Sequence, residues 1–489
     1  MAPAQTLPGL PAFRQPSPTT TRASGEMPPP PARSLPDNPF PTLTMPSLLS
    51  RRSILKSAAA ASLAARPAFA QSTPARKLRV GFIGMGGQIQ GHVSRILELG
   101  HEAAAFCDVD ASQIENSRKR HAAATNATAF SDFQKLLASP DIDAVVVATP
   151  DHWHAPVCKA AIAAGKHVYC EKPLTHSIAE ARQLRDLAKS SKVITQTGNQ
   201  GSSSANLRRS MELIAADFFG PISEIHVWHP PHGWPSGTAR PDGSDPIPAG
   251  LDWDRWLGPA PARPYKSSIY HPAQWRGWYD FGNGSLGDFC CHGFNLPVRA
   301  LNLDYPTRIE ISGSGLGLES FAKACTVHYH FPARGTRGPV NLHFYTGGDL
   351  PPESVTARLR ESTGSLPSTG CLMIGTKGQL QCGLWNSDGA VRMNDDARFS
   401  WFGAHAAAKA IPESIPRSKG QIEEWIDAIL GGPKVFSDFD HGGHLTEIGL
   451  AGIVALRLQK NIDWDGPAMK APGTPEADPF INPTPRKGF

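Results

Sequence analysis

Short apolar runs alternate with amphipathic stretches from residue 77 onward. Lys77 to Ile83 (KLRVGFI) is rich in apolar and β-branched residues, stops at Gly84-Met85-Gly86-Gly87 and leads into a helix-like segment through Leu99. A second run, Ala103 to Cys107, ends in Asp108, and a helical stretch follows around Asp132 to Leu137. The near-continuous apolar run Ala144 to Ala148 ends in Thr149-Pro150-Asp151-His152-Trp153-His154; a helix over Ala155 to Ala164 and a strand over His167 to Cys170 then precede Glu171-Lys172-Pro173. Regular strand–helix alternation predicts a doubly wound parallel sheet.

After Thr197-Gly198-Asn199-Gln200 the alternation stops, and strand-like runs such as Ile222 to Trp228, Cys325 to Phe331 and Val340 to Tyr345 dominate. That pattern predicts an α+β domain with a large, mostly antiparallel sheet. Apolar residues at three- and four-residue spacing return in Gly420 to Leu430 and Leu445 to Gln459, the tail helices. The second is expected to pack back on the first domain, followed by a Pro-rich arm.

Composition changes the picture mainly at the start. Residues 1 to 46 hold 13 of the 46 prolines without hydrophobic periodicity, the composition of a disordered segment. From Met45, a possible alternative start, the order is Ser50-Arg51-Arg52-Ser53-Ile54-Leu55-Lys56, an Ala-rich apolar stretch, then Ala68-Phe69-Ala70 before Gln71. This resembles a twin-arginine signal peptide with an A-x-A cleavage site and implies an exported, periplasmic protein. The division expected is 1–44 disordered or mis-assigned, 45–70 leader, 71–197 nucleotide-binding domain, 198–440 substrate and oligomerisation domain, and 441–489 helix and arm. The apolar stretch is too short and too weakly hydrophobic to be expected to span a membrane, and no later segment approaches the length needed.

Residues 1 to 70 carry seven Lys/Arg against two Asp/Glu, leaving 41 of each sign in the rest. A neutral chain without a basic stripe argues against nucleic acid and fits a small neutral substrate. The eight cysteines show no C-x-x-C pair, and no obligatory disulfide is expected. There is no nucleophile elbow and no phosphate-cradling G-x-x-x-x-G-K-[ST].

The strand–glycine turn–helix at Gly84 suits a dinucleotide. Gly84 and Gly86 allow a tight turn and close backbone approach to a pyrophosphate seated on the helix N-terminus, although the usual third glycine is replaced by Ile89. Asp108, at the end of the second strand, is placed for the ribose hydroxyls and favours NAD over NADP; Asp110 competes for that role. Ligands sit at strand ends in such sheets, so the candidate cofactor contacts are Gly84, Met85, Gly86, Gly87, Gln88, Asp108, Thr149, Pro150, His154, Glu171 and Lys172.

In Gly284-Ser285-Leu286-Gly287-Asp288-Phe289-Cys290-Cys291-His292, a helix would put Asp288 and His292 on one face. A carboxylate beside an imidazole raises its basicity and orients it, as a general base for a hydroxyl proton requires; a purely structural contact is the other reading. Trp228, Trp234, Trp253, Trp256, Trp275 and Trp278 offer flat faces for a sugar ring or the packing of a long loop. The pairs His152/His154 and His328/His330 and the set His226/His229/His232 have ligand-like spacings but no defining carboxylate or thiolate set, so no metal is assigned.

Taken together, Gly-x-Gly-Gly, Thr149-Pro150-x-x-x-His154, Glu171-Lys172-Pro173-Leu174 and Gly284-x-x-x-Asp288-x-x-x-His292 resemble the Gfo/Idh/MocA family. The resemblance implies an NAD(P)-dependent oxidoreductase of a sugar, inositol or polyol, homo-oligomeric as a dimer or tetramer. It implies catalytic Lys172, Asp288 and His292: His292 as acid/base, Lys172 holding the reacting hydroxyl, Pro173 fixing that lysine's backbone through a cis bond. Asn295 stands where many relatives carry an acid. The rival implied by the same resemblance is an NAD-dependent glycoside hydrolase that works by transient oxidation and elimination with a tightly held cofactor; a non-catalytic sugar-binding protein is the third reading.

Overall fold

The computed structural model describes residues 76–489; the proposed leader and the segment before it lie outside the described residues. Strands β1 (Arg79–Ile83), β2 (Glu102–Cys107), β3 (Thr128–Phe130), β4 (Ala144–Val147), β5 (His167–Cys170) and β6 (Thr195–Thr197) form one sheet in the order β3-β2-β1-β4-β5-β6, every neighbouring pair parallel. β3 (TAF) and β6 (TQT) are too short and too polar to have stood out in the hydrophobic pattern. The strand order reverses between β1 and β4, which opens a crevice at their carboxyl ends, where Gly84 and Thr149 lie.

Two helix starts differ from the sequence expectation, the tail helix beginning at Phe439 instead of Leu445 and the helix after β4 beginning early as well. The helix after β4 runs Asp151–Ala163, not from Ala155, so His152 and His154 belong to a helix instead of a strand-end loop. Pro150 supplies an extended backbone before the first turn, and the acid at Asp151 stands at the helix's positive end.

The second sheet contains β7 (Ile222–His229), β8 (Arg308–Ser314), β9 (Ala324–Phe331), β10 (Val340–Thr346), β11 (Gly370–Gly375), β12 (Gly378–Cys382), β13 (Ala390–Met393), β14 (Ser400–Trp401) and β15 (Ile462–Asp463). Its order is β14-β13-β12-β11-β7-β10-β9-β8-β15, antiparallel except where β7 meets β10. Alternation sends Ile225, Val227, Val327, Tyr329, Leu342 and Phe344 to one face, into a single core with Leu286 and Cys290 of the helix Gly284–Gly293 and Leu445, Ile448 and Ala451 of the helix Phe439–Leu458. Each Val, Leu, Ile or Phe among them, fully buried, contributes about 1.5–3 kcal/mol. The sheet is thus a rigid wall behind the helix that carries Asp288 and His292.

The helix Phe439–Leu458 also joins the two sheets. Its buried Glu447 accepts from Arg182 (2.7 Å) and Arg185 (2.8 Å) on the helix Ile178–Ser190, and from the Tyr305 hydroxyl (2.8 Å). The tryptophan-rich segment makes its own small core from Trp253, Trp256, Tyr265, Tyr270, Trp275, Trp278 and Phe281. It is tied to the end of β2: Ala111 N–H donates to Gly250 O, Asp252 N–H to Val109 O, and His271 pairs with Asp110 at 2.9 Å. All eight cysteines are buried and free. No helix among the described residues is long and apolar enough to cross a membrane.

Candidate active site

Two cavities meet at the crevice. The first, about 660 Å³, is lined by Gly84, Gly86, Gly87, Gln88, Asp108, Thr149 and Pro150, and closed on its far side by Trp256, His271 and Phe489. The second, about 600 Å³, is lined by His154, Glu171, Lys172, Asp288 and His292, with Trp234, Trp275, Phe289 and Trp385 as aromatic walls. Gln88, Ala148, Thr149, Trp275 and Arg276 belong to both.

The glycine turn is built for a large ligand. Gly84 has φ +85°, and a Cβ there would stand 2.7 Å from Thr149 N, so only glycine lets the turn close against the end of β4. At Gly86 and Gly87 an added Cβ would meet nothing within 4 Å, which leaves the room a pyrophosphate needs beside the start of the helix Ile89–Glu98. Asp108 faces this cavity, its carboxyl accepting from Met85 N–H (2.6 Å) and Asp110 N–H (2.9 Å); burial pushes it up to about 6. Asp110 is otherwise engaged, since it caps the helix Ala111–Arg120 through Ser112 and pairs with His271. Of the two acids, Asp108 is the one left for a ribose. The donors, the open backbone and the volume fit a dinucleotide.

At the other cavity, Lys172 Nζ donates to Asp288 Oδ1 at 2.8 Å. Burial would lower the lysine and raise the acid, but the mutual charge outweighs it: Lys172 is held above its ordinary value and Asp288 below. The Lys172-Pro173 bond is cis. Glu171 is taken by a partner the sequence did not reveal, His92 at 2.7 Å, and that bond holds its carboxyl below the usual range against the effect of burial. His154 lies between two carbonyls, Pro173 O (2.8 Å) and Thr149 O (2.9 Å), joining the two strand-end turns.

His292 departs from the expected pairing. It lies one helical turn from Asp288, but the carboxylate is turned to Lys172, and His292 Nδ1 is buried with no hydrogen-bond partner among the described residues. Burial first, then the Lys172 charge, depress the imidazole to about 3, so it is neutral at neutral pH. Asn295 bonds Ser202 and His441 and stands away from the cavity.

Of the six tryptophans, Trp234 and Trp275 line the second cavity, while Trp228 packs with Tyr345, Leu359 and Leu372 under a different helix. The histidine sets are also engaged elsewhere: His152 bonds the Phe281 and Trp256 carbonyls, His232 the Ser285 hydroxyl, and His328 pairs with His343. Among the described residues no group of three or more His, Cys, Asp or Glu is placed to hold a metal. Sequence reasoning missed His92, Arg276, Trp385 and Phe489, which reach the site from distant segments, and it passed over Asp151, which stands beside the Thr149-Pro150 pair it had singled out.

Comparison with known proteins agrees with this geometry. Residues 78–199 match the family model described as "Oxidoreductase family, NAD-binding Rossmann fold", and residues 232–329 match "Oxidoreductase family, C-terminal alpha/beta domain". The chain is 31% identical over 289 residues to an alpha-N-acetylgalactosaminidase of Shewanella oneidensis, covering 56% of this chain and 54% of the relative. It is 36% identical over 107 residues to 1,5-anhydro-D-fructose reductase of Ensifer adhaerens, 21% of this chain and 32% of the relative. The chain spans about half the length of the first curated relatives it matches. In fold it is similar to the WlbA dehydrogenase of Bordetella pertussis, solved with NADH and UDP-GlcNAcA, at TM-score 0.55 and 18% identity over 80% of this chain and 99% of that one. The two matched segments, in this order and on these two sheets, support assignment of the chain to the Gfo/Idh/MocA oxidoreductase family.

Proposed function

We propose that the chain is an NAD(P)-dependent oxidoreductase acting on a secondary alcohol of a sugar, inositol or related polyol by hydride transfer. The observation that carries this is the junction of the two cavities: a dinucleotide-shaped crevice opens onto a chamber holding a Lys172–Asp288 pair and a neutral buried imidazole, His292. The cofactor, when bound, supplies the hydride acceptor or donor. Gly84, Met85, Gly86, Gly87 and Gln88 would hold its pyrophosphate, Asp108 its ribose, and Thr149, Pro150, His154, Glu171 and Lys172 the nicotinamide end. His292 accepts the hydroxyl proton, while Lys172, itself steered by Asp288, stabilises negative charge on the oxygen. Four aromatic walls suit the C–H faces of a pyranose.

Tight retention of the cofactor is part of the proposal. The tryptophan-rich segment and Arg486–Phe489 close the crevice: Arg486 bonds Gly258 O and pairs with Asp254, and Phe489 packs edge-on to Trp153. So are homo-oligomerisation, which the family resemblance supports, and twin-arginine export, supported by the Ser50–Lys56 motif. The similarity to an alpha-N-acetylgalactosaminidase favours a second reading, in which the same hydride transfer is transient and a glycosidic bond is cleaved by elimination.

The test is to purify the protein from Gln71, denature it and identify released nucleotide by chromatography, then assay hexoses and inositols with added NAD at 340 nm and aryl glycosides without it. Bound NAD with turnover on added NAD supports the first reading, and glycoside cleavage without net NADH the second. No bound nucleotide, and no binding of added NADH, refutes both.

A further inference from the structure

We propose that the Asp151 carboxyl is the catalytic acid of the second cavity, giving its proton to a substrate oxygen as negative charge builds there. This rests on the hydride-transfer reading and moves its proton transfer from His292 to Asp151, because the group that gives the proton in reduction is the group that takes it in oxidation.

Asp151 opens the helix Asp151–Ala163, is 4% exposed and lines the same chamber as Lys172, Asp288 and His292. Among the described residues it is the one carboxyl of that chamber with no Lys, Arg or His at ion-pair distance. Glu171 has His92 and Asp288 has Lys172, whereas Asp151 accepts a single long bond, 3.5 Å, from Asn283 Nδ2. The surrounding groups come from four elements. Asp288 and Asn283 belong to the helix Gly284–Gly293 and its cap, Lys172 and the Cys170 thiol to the end of β5, and Arg276 to the tryptophan-rich segment, while His152 and His154 on its own helix are committed to backbone carbonyls. Burial, then the charge of Asp288, push Asp151 up to about 8, against the opposing pull of Arg276 and Lys172.

The other groups leave this role open. His292 is deprotonated at neutral pH, Asp288 is ionised, and the Lys172 ammonium is engaged with it. Two carboxyls whose surroundings drive their protonation apart divide the roles of acid and ionised partner. In the reducing direction the carbonyl carbon would accept the hydride, with its electron pair, that a bound reduced nicotinamide would supply. The C=O π pair moves to oxygen, the Asp151 O–H bond breaks, the new alcohol O–H forms, and the carboxylate is reprotonated from water. In a glycosidic elimination the C–O bond pair would leave with the oxygen and take the same proton.

The experiment uses full-length mature protein loaded with NADH, wild type and Asp151→Asn. Infrared difference spectra between the two read the carboxyl directly, from pH 6 to 10. Reduction of 1,5-anhydro-D-fructose, a ketose probe, is followed at 340 nm over the same range, and NADH affinity by fluorescence. The expected result is a protonated-carboxyl band in wild type at pH 7, absent from the variant and titrating near pH 8. A wild-type rate that falls tenfold per pH unit above that point should accompany it, with a 10²–10⁴-fold lower rate in the variant lacking that limb and NADH affinity within twofold. No band at pH 7, or a variant that reduces the probe at the wild-type rate, overturns the proposal. Failure of both proteins to bind NADH overturns instead the reading beneath it.

Discussion

Replacing Lys172 by Met keeps the length and bulk of the side chain and removes the charge opposite Asp288. The pair is nearly enclosed, with side-chain exposures of 16% and 14%. Removing one partner of a buried ion pair costs about 3–5 kcal/mol, and the residual contact with the cavity puts this case near about 3 kcal/mol at pH 8. The dependence on pH is the sharper part. In the wild type Asp288 is held below the ordinary carboxylate range, so its contribution is present above that range and disappears as pH falls through the lowered value. Without Lys172, burial dominates and the folded-state value rises above the ordinary one, so stability is lost as pH increases. The gap between wild type and Lys172→Met should therefore widen from about 1 kcal/mol at pH 4.5 to about 3 kcal/mol at pH 8. Urea unfolding at both values measures it, and Lys172→Met/Asp288→Asn should recover most of the loss at pH 8. An equal penalty at both pH values, or no recovery in the double variant, would refute the electrostatic account.

Asp108 is ionised above about pH 6, so NADH affinity measured by fluorescence should be flat above that point and weaken about tenfold per unit below it, a limb that Asp108→Asn abolishes. Gly84→Ala forces a side chain into φ +85° and against Thr149 N; about 1–3 kcal/mol of stability should be lost in chemical denaturation, with weaker NADH binding, and an unaffected variant would show that the turn is free to move. Deleting residues 486–489 opens the far wall of the nucleotide crevice, and stopped-flow displacement should give NADH release about tenfold faster, equivalent to about 1.4 kcal/mol of lost contact.

The hydrophobic pattern was enough to determine the two-sheet architecture. β1, β4 and β5 are buried along nearly their whole length, so they appear as short apolar runs, and a parallel sheet covered by helices is the arrangement that buries them. The glycine turn, the strand-end Asp108 and the spacing of Asp288 and His292 could be read locally, because a turn needing positive φ, a strand-end acid and an i,i+4 pair are local features of the text, whereas Lys172 came only from the resemblance carried by Glu171-Lys172-Pro173-Leu174. Tertiary structure alone decided what each charge meets. Asp288 was four residues from an imidazole in sequence, yet it pairs with a lysine 116 residues away, because the sheets bring the end of β5 over the helix Gly284–Gly293. Glu171 found His92, and Asp151, among the described residues, found no cation at ion-pair distance. A side chain's partner, its desolvation and hence its protonation follow from packing between segments remote in the chain, and no local spacing encodes them.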